Sequence, residues 1–140
     1  MYTRRMLKSK IHRARVTHAD LNYEGSITLS PLLLEAADLL PAEAVWVWNV
    51  TAGTRFETYT IEGKPGSNAV CVNGAAARLV SPGDLIIIAS FIQIPDVDCR
   101  TFKQRIVFVD EYNQISEVRP EKVADLSCIK PKNAVEILTD

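Results

Sequence analysis

The sequence predicts a small, mainly β domain with short helical inserts, and three observations carry that prediction. Short runs rich in Val, Ile, Trp, Phe and Thr recur along the chain and are separated by Gly, Pro, Asn or Ser, the pattern of strands joined by tight turns. A single apolar run opens with the helix-start pair Ser30-Pro31. At 140 residues the chain is long enough for one well-buried domain and too short for two ordinary ones, so residues 1–140 are read as a single domain. Many short strands with brief helical inserts suit a small barrel, because closing a sheet removes its exposed edges.

Met1 to Arg5 is basic but is followed by no apolar signal-peptide core, and it reads as a solvated terminus. Lys8 to Val16 alternates polar and apolar residues and reads as a strand with one wet face. That strand carries Lys10 toward a polar loop holding Gly25-Ser26. Ser30 then serves as N-cap and Pro31 as first helical residue for the run Leu32 to Leu40, which Pro41 ends. Ala44–Val50, Phe56–Ile61, Ala69–Val72 and Leu85–Phe91 supply four more strands. A short helix around Val97 to Phe102 precedes two last strands at Ile106–Val109 and Ile115–Val118. Residues 120–140 mix charges with Pro120 and Pro131 and read as a tail, free or packed along a neighbouring subunit.

The charge balance, 16 basic against 17 acidic side chains, gives no electrostatic reason to expect nucleic acid or an anionic membrane as partner. With neither a signal peptide nor a membrane-length apolar run, a cytoplasmic protein is the simple expectation. Cys71, Cys99 and Cys128 are odd in number and widely spaced, which suggests reduced structural thiols. His12 and His18 are the only histidines and neither lies beside a cysteine, so no metal site is expected. The common phosphate-cradling glycine motifs are absent.

Gly25-Ser26 is where the chain carries unusual chemistry. If the Ser26 hydroxyl attacks the Gly25 carbonyl, the amide becomes an ester, and elimination leaves Ser26 as dehydroalanine and then as an N-terminal pyruvoyl group. Glycine before the serine favours this, because without Cβ its backbone reaches conformations that bring Oγ onto the carbonyl. The dipeptide alone does not suffice, since Gly66-Ser67 repeats it without comparable surroundings. The context does: Lys10-Ile11-His12-Arg13 lies upstream, and Trp48-Asn49-Val50-Thr51, Arg55-Phe56-Glu57-Thr58-Tyr59, Asn73-Gly74-Ala75-Ala76-Ala77 and Gly83-Asp84-Leu85 to Phe91 follow downstream in that order.

Together these motifs resemble the bacterial L-aspartate 1-decarboxylases from about Met6 to Arg100, fading beyond. The resemblance implies a double-psi β-barrel, made as a proenzyme and cut between Gly25 and Ser26 into a β chain of residues 1–25 and an α chain of residues 26–140. It implies a pyruvoyl cofactor derived from Ser26, with neither metal nor pyridoxal phosphate, and decarboxylation of L-aspartate to β-alanine and CO2 for pantothenate synthesis. A homotetramer with sites at subunit interfaces is implied as well. Whether an accessory maturation factor takes part is left open.

Site roles come from the same resemblance. A pyruvoyl ketone at Ser26 condenses with the amine of an amino acid and accepts the electron pair released with CO2, as pyridoxal phosphate does elsewhere. Enzymes commonly remove roughly 8 to 23 kcal/mol of barrier, and no ordinary acid-base pair in this chain offers that for a localised carbanion. Thr58 is the expected oxyanion stabiliser during the acyl shift, and Tyr59 the proton donor to carbon, suited by a phenol pKa near about 10. Arg55, with its planar fork, and Lys10, a point charge, are the candidate grips on substrate carboxylates. Asn73, Gly74, Ala75 and Ala76 line the substrate site, and read without the resemblance they form an Asn-Gly turn into a short helix. His12 and Tyr23 are expected to orient the processing loop. Neighbours in a strand face opposite ways, so Thr58 and Tyr59 share a pocket only through a bulge, or one of them serves a neighbouring subunit. Two other readings remain: an uncleaved double-psi barrel acting as a ligand-binding module, and a serine hydrolase, disfavoured by the absence of G-x-S-x-G around Ser26.

Overall fold

The computed structural model describes residues 2–122. Its longest strand, β1 (Thr3–Arg15), is followed by β2 (His18–Asp20), β3 (Ser26–Leu29), helix α1 (Pro31–Ala36), β4 (Ala44–Asn49), β5 (Arg55–Glu62) and β6 (Cys71–Asn73). A 3-10 helix (Gly74–Leu79), β7 (Leu85–Pro95), the single turn α2 (Asp96–Cys99), β8 (Arg105–Val109) and β9 (Ile115–Arg119) complete the order. The strands form one mixed sheet in the order β2-β6-β3-β5-β4-β7-β1-β8-β9. Pairing is parallel between β1 and β8, β2 and β6, and β3 and β5. Mainly β, with mixed pairing and few short helices, this is a fold of the double-psi β-barrel type.

The core is a register effect. Val107, Ile11, Ile88, Val47 and Phe56 are successive partners across five strands, and all are buried. Burying each such side chain is worth about 1.5 to 3 kcal/mol, so a one-residue slip in any of these strands, which would turn its whole set outward, is strongly disfavoured. Register shifts between Leu7 and Ser9 and between Ile11 and Ala14 bend β1, and Arg13 takes a left-handed φ of 62° at the second. These bulges let one long strand pair with β7 along its length and still receive β8.

Several expectations are corrected. The basic terminus is exposed, as read, but it is strand from Thr3 onward, where Arg4 Nε bonds Asp96 at 2.6 Å and Arg5 stacks on Phe91 at 4.4 Å. β2 and β3 lie where a polar loop was expected. The helix starts as read, with Ser30 Oγ accepting from the Leu33 N–H at 3.3 Å, but it stops at Ala36 and not at Pro41. Asp38 turns left-handed at φ 54°, and the Leu39 N–H reaches back to the Leu34 carbonyl at 2.8 Å, which ends the helix in its own last turn. The strand expected at Ala69–Val72 runs instead from Cys71 through Asn73, and the short helix near Val97 begins and ends earlier, at Asp96–Cys99. Most of the expected tail, residues 123–140, lies outside the described residues. No helix among the described residues is long and apolar enough to cross a membrane.

Asn113, in the β8–β9 hairpin, latches that hairpin to β1. Its Oδ1 accepts from the Arg15 N–H at 2.7 Å, and its Nδ2 donates to the carbonyls of Arg15 at 2.9 Å and Asn68 at 3.0 Å. The residue is buried and left-handed at φ 59°, a conformation that asparagine tolerates better than most side chains. Asn113→Ala removes the partner of three part-buried backbone groups. It should cost about 1 to 3 kcal/mol of unfolding free energy in denaturant titration, whereas exposed Glu111→Ala should leave the midpoint within about 0.5 kcal/mol of the parent.

Candidate active site

Both flanks of the Gly25-Ser26 loop are tied to one residue. Asp20, closing β2, and Ser26, opening β3, are each the register partner of Asn73 on β6, from opposite sides. With strands spaced about 4.8 Å apart, the chain leaves one side of Asn73 and returns about 10 Å away on the other. Residues 21–25 bridge that gap. The register on the returning side is held by Ile27 and Leu29, both fully buried, with Ile27 facing buried Val72.

Ser26 is only 1% exposed. Its Oγ accepts from Asn73 Nδ2 at 3.1 Å and donates to the Glu24 carbonyl at 3.2 Å. The same asparagine amide donates to Thr28 Oγ1 at 3.1 Å, and Asn73 is itself buried. The hydroxyl is thus desolvated, fixed in direction, and one residue from the bond it is expected to attack. Thr28 was not foreseen as part of this network; its signal is the β-branched run Ser26-Ile27-Thr28-Leu29, which reads as strand.

The conformational demand for glycine falls on Gly74. Gly74 has φ +74°, and a Cβ there would lie 2.6 Å from Gly25 Cα, 2.8 Å from Gly25 N and 3.2 Å from the Tyr23 carbonyl oxygen. Gly25 lies outside the left-handed region, and a Cβ on it would meet only the Asn73 carbonyl oxygen, at 4.0 Å. Gly74 therefore lets the 3-10 helix press against the loop. Ala75 within that helix is exposed, and Ala76 packs on the core.

β5 settles how Thr58 and Tyr59 face. Its pairings with β4 and β3 contain no register shift, so the strand is regular there. Phe56, Thr58 and Thr60 share one side, the side of buried Val45 and Val47. Arg55, Glu57 and Tyr59 point outward and are exposed. One residue before the paired Ile27 and Thr60, Ser26 stands alongside Tyr59. Neither of the hydrogen bonds that hold Ser26 comes from Thr58.

The expected cations are elsewhere. Lys10 is paired with Ala89 and Ile106 in β1, four strands along the sheet from β3, and its ammonium lies 3.4 Å from Glu121. Arg55 lies over the Trp48 ring at 5.3 Å, in a face that continues through Phe91 to Arg5. His12 packs edge-on against Phe108 at 5.4 Å, on the β8 side of β1. Tyr23 is half exposed in the loop itself and touches Gly74 through its carbonyl. One chain thus brings together Tyr23, Gly25, Ser26, Tyr59, Asn73 and Gly74, and holds Lys10, His12 and Arg55 apart from them.

Burial raises the Cys71 thiol pKa, keeping it protonated at neutral pH, and Cys99 is a buried free thiol near the Ile94 carbonyl. Cys128 lies outside the described residues. No cluster of three or more His, Cys, Asp and Glu able to hold a metal occurs among the described residues.

Two measurements follow from this geometry. Gly66 has nearly the same φ, +78°, as Gly74 but open space around it. Gly66→Ala should therefore cost only the left-handed strain, about 1 to 2 kcal/mol, and Gly74→Ala should cost clearly more in the same denaturant titration; equal costs would deny the contact with Gly25. Burial, then Lys10 and Arg13, lower the His12 pKa from 6.5 against a weaker opposing pull from Glu121. Below pH 6.5 the unfolded imidazole binds a proton that the folded one resists, so this contribution is present above that pH and lost as pH falls through it. Melting curves of His12→Asn should accordingly fall less steeply than the parent's between neutral and mildly acid pH.

The sequence profile of the family described as "Aspartate decarboxylase" matches residues 1–116, further than the motifs up to Arg100 reach. "Aspartate 1-decarboxylase" of Legionella pneumophila (strain Lens) is 65% identical over 123 residues, 88% of this chain and 92% of that protein. The protein of the same description from Rhodopirellula baltica (strain DSM 10527 / NCIMB 13988 / SH1) is 58% identical over 84% of this chain and 76% of its own length. That from Myxococcus xanthus (strain DK1622) is 53% identical over 79% of this chain and 85% of its own. By profile and by these relatives, the chain belongs to the aspartate decarboxylase family.

Proposed function

We propose that the chain is a self-cutting precursor of an L-aspartate decarboxylase that makes β-alanine and CO2, the β-alanine serving pantothenate synthesis. The observation that carries this reading is the buried Ser26 hydroxyl, held between Asn73 Nδ2 and the Glu24 carbonyl beside the glycine that precedes it. Its Oγ attacks the Gly25 carbonyl carbon, the peptide C–N bond breaks, and Gly25 becomes an ester on Ser26 whose nitrogen is now a free amine. Elimination passes the Ser26 Cα proton to water, breaks the Cβ–Oγ bond, releases Gly25 as a carboxylate and leaves dehydroalanine. Water then displaces that nitrogen as ammonia. The products are a β chain of residues 1–25 and an α chain of residues 26–140 with a pyruvoyl end. Thr58 is assigned to the oxyanion of the acyl shift on the family resemblance alone.

The pyruvoyl group supplies the electron sink that decarboxylation of an amino acid requires. Around it, Asn73 and the Gly74 backbone hold a carbonyl or carboxylate oxygen, and Tyr59, on the outward side with Ser26, keeps a phenolic proton at hand for carbon. Arg55 and Lys10 grip carboxylate. Because both stand apart from Ser26 within one chain, the complete site is formed between subunits of a homotetramer, one supplying the pyruvoyl half and its neighbour the cationic half. The distal carboxylate must be held and the departing one left weakly stabilised, since interactions equal in ground and transition state do not speed the step. Glutamate, longer by one methylene, should be disfavoured by about 1 to 3 kcal/mol.

Intact mass spectrometry of the purified protein tests this. An α fragment starting at residue 26, lighter by one ammonia than a serine terminus requires, is expected together with CO2 release from L-aspartate. A chain that stays uncut and releases none would point to the binding-module reading. Ser26→Ala should abolish both cutting and turnover. Tyr59→Phe should cut normally yet turn over about 100-fold or more slowly, the usual weight of a positioned proton donor; unchanged turnover removes Tyr59 from that role.

A further inference from the structure

We infer that Asp20 is a positioning residue for the cut between Gly25 and Ser26; this rests on the self-cutting read above and extends it to a residue outside the expected site. Asp20 and Ser26 are the two register partners of Asn73, so the loop between them is anchored at both ends to one buried residue. The Ser26 end is fixed by Asn73 Nδ2. At the other end, Asp20 Oδ1 accepts the Asn22 N–H at 2.9 Å, closing a side-chain turn at the point where the loop leaves β2. Between the two anchors, Gly74 leaves no room beyond a hydrogen between itself and Gly25.

These constraints act on the same few bonds. Five residues spanning about 10 Å have slack, since an extended segment of that length reaches roughly 17 Å, and the excess must be folded into a definite turn if the Gly25 carbonyl is to stay within reach of Ser26 Oγ. Asp20 folds it at the first step, which sets the path of Tyr23, whose carbonyl rests on Gly74, and of Glu24, whose carbonyl receives the Ser26 proton. Asp20 is exposed, and what the turn uses is an acceptor oxygen two residues before an N–H. Asparagine provides that oxygen without the charge, and alanine provides neither.

Freshly purified precursor of the parent, Asp20→Ala and Asp20→Asn is incubated, and the uncut fraction is followed by intact mass. Asp20→Ala should cut roughly three- to tenfold more slowly, the worth of one hydrogen bond, and Asp20→Asn should cut at close to the parental rate. Each change is also placed on the uncuttable Ser26→Ala chain, where the melting temperature should stay at that of Ser26→Ala alone. Parental cutting by Asp20→Ala, failure of Asp20→Asn to restore the rate, or a fall in melting temperature matching the slowing would overturn the assignment. A parent that never cuts would instead overturn the self-cutting reading, and this inference with it.

Discussion

The double pairing of β6 is the constraint from which the candidate site descends. Three residues, Cys71 to Asn73, hold β2 in parallel on one side and β3 antiparallel on the other. Ser26 is placed opposite Asn73 only because Ile27 and Leu29 are buried in the core and Ile27 faces Val72. A slip of one residue would put Ile27 against Asn73 and expose the apolar pair. The hydrophobic pattern of a four-residue strand thus fixes the position of a hydroxyl, and no feature of that hydroxyl is needed to explain where it lies.

The cut proposed after Gly25 would have to leave the fold standing, and the topology provides for this. The bond after Gly25 separates β1 and β2 from everything that follows, yet β1 sits inside the sheet, paired along its length with β7 and also with β8. Ile11 and Ala14, both fully buried, fasten it to the core, and β2 remains bonded to β6. The proposed cut would remove one covalent link and none of those contacts, and would free the end of the loop, where Gly25 and Gly74 are pressed together.

The parts of this fold that were legible in the sequence are those written in local chemistry. Ser30-Pro31 announces α1 because N-capping and a fixed proline φ act within four residues, and the helix begins there. Its end was misread because the stop lies in a left-handed Asp38, an allowed but uncommon choice for that residue, whereas Pro41 is a louder but later signal. β2 and β3 were missed because runs of three and four residues have no periodicity of their own; their partner on β6 lies about fifty residues away. The alternation that sets Thr58 against Tyr59 was readable and persists in a regular β5. The demand for a second glycine, at Gly74, was not legible, since the approach of the loop to Gly74 is a tertiary fact.

That alternation also bears on the proposed division of the site between subunits. Arg55 and Tyr59 lie four residues apart on the outward side of β5, about 13 Å at strand rise, too far to act on one small dicarboxylate unless their side chains converge. Lys10 is four strands from β3, about 19 Å along the sheet. A barrel this small has a filled interior, so in the proposed site these outward groups would meet across the surface of a second subunit. The separation also keeps an arginine and a lysine away from the Gly25 peptide that Ser26 is proposed to attack. Cations beside Ser26 would favour the charged oxyanion but would also draw in water and anions to a serine that is now dry. In the proposed arrangement, the cut takes place in the dry half provided by one fold, and the dicarboxylate is recognised by a cationic face that another copy brings to it.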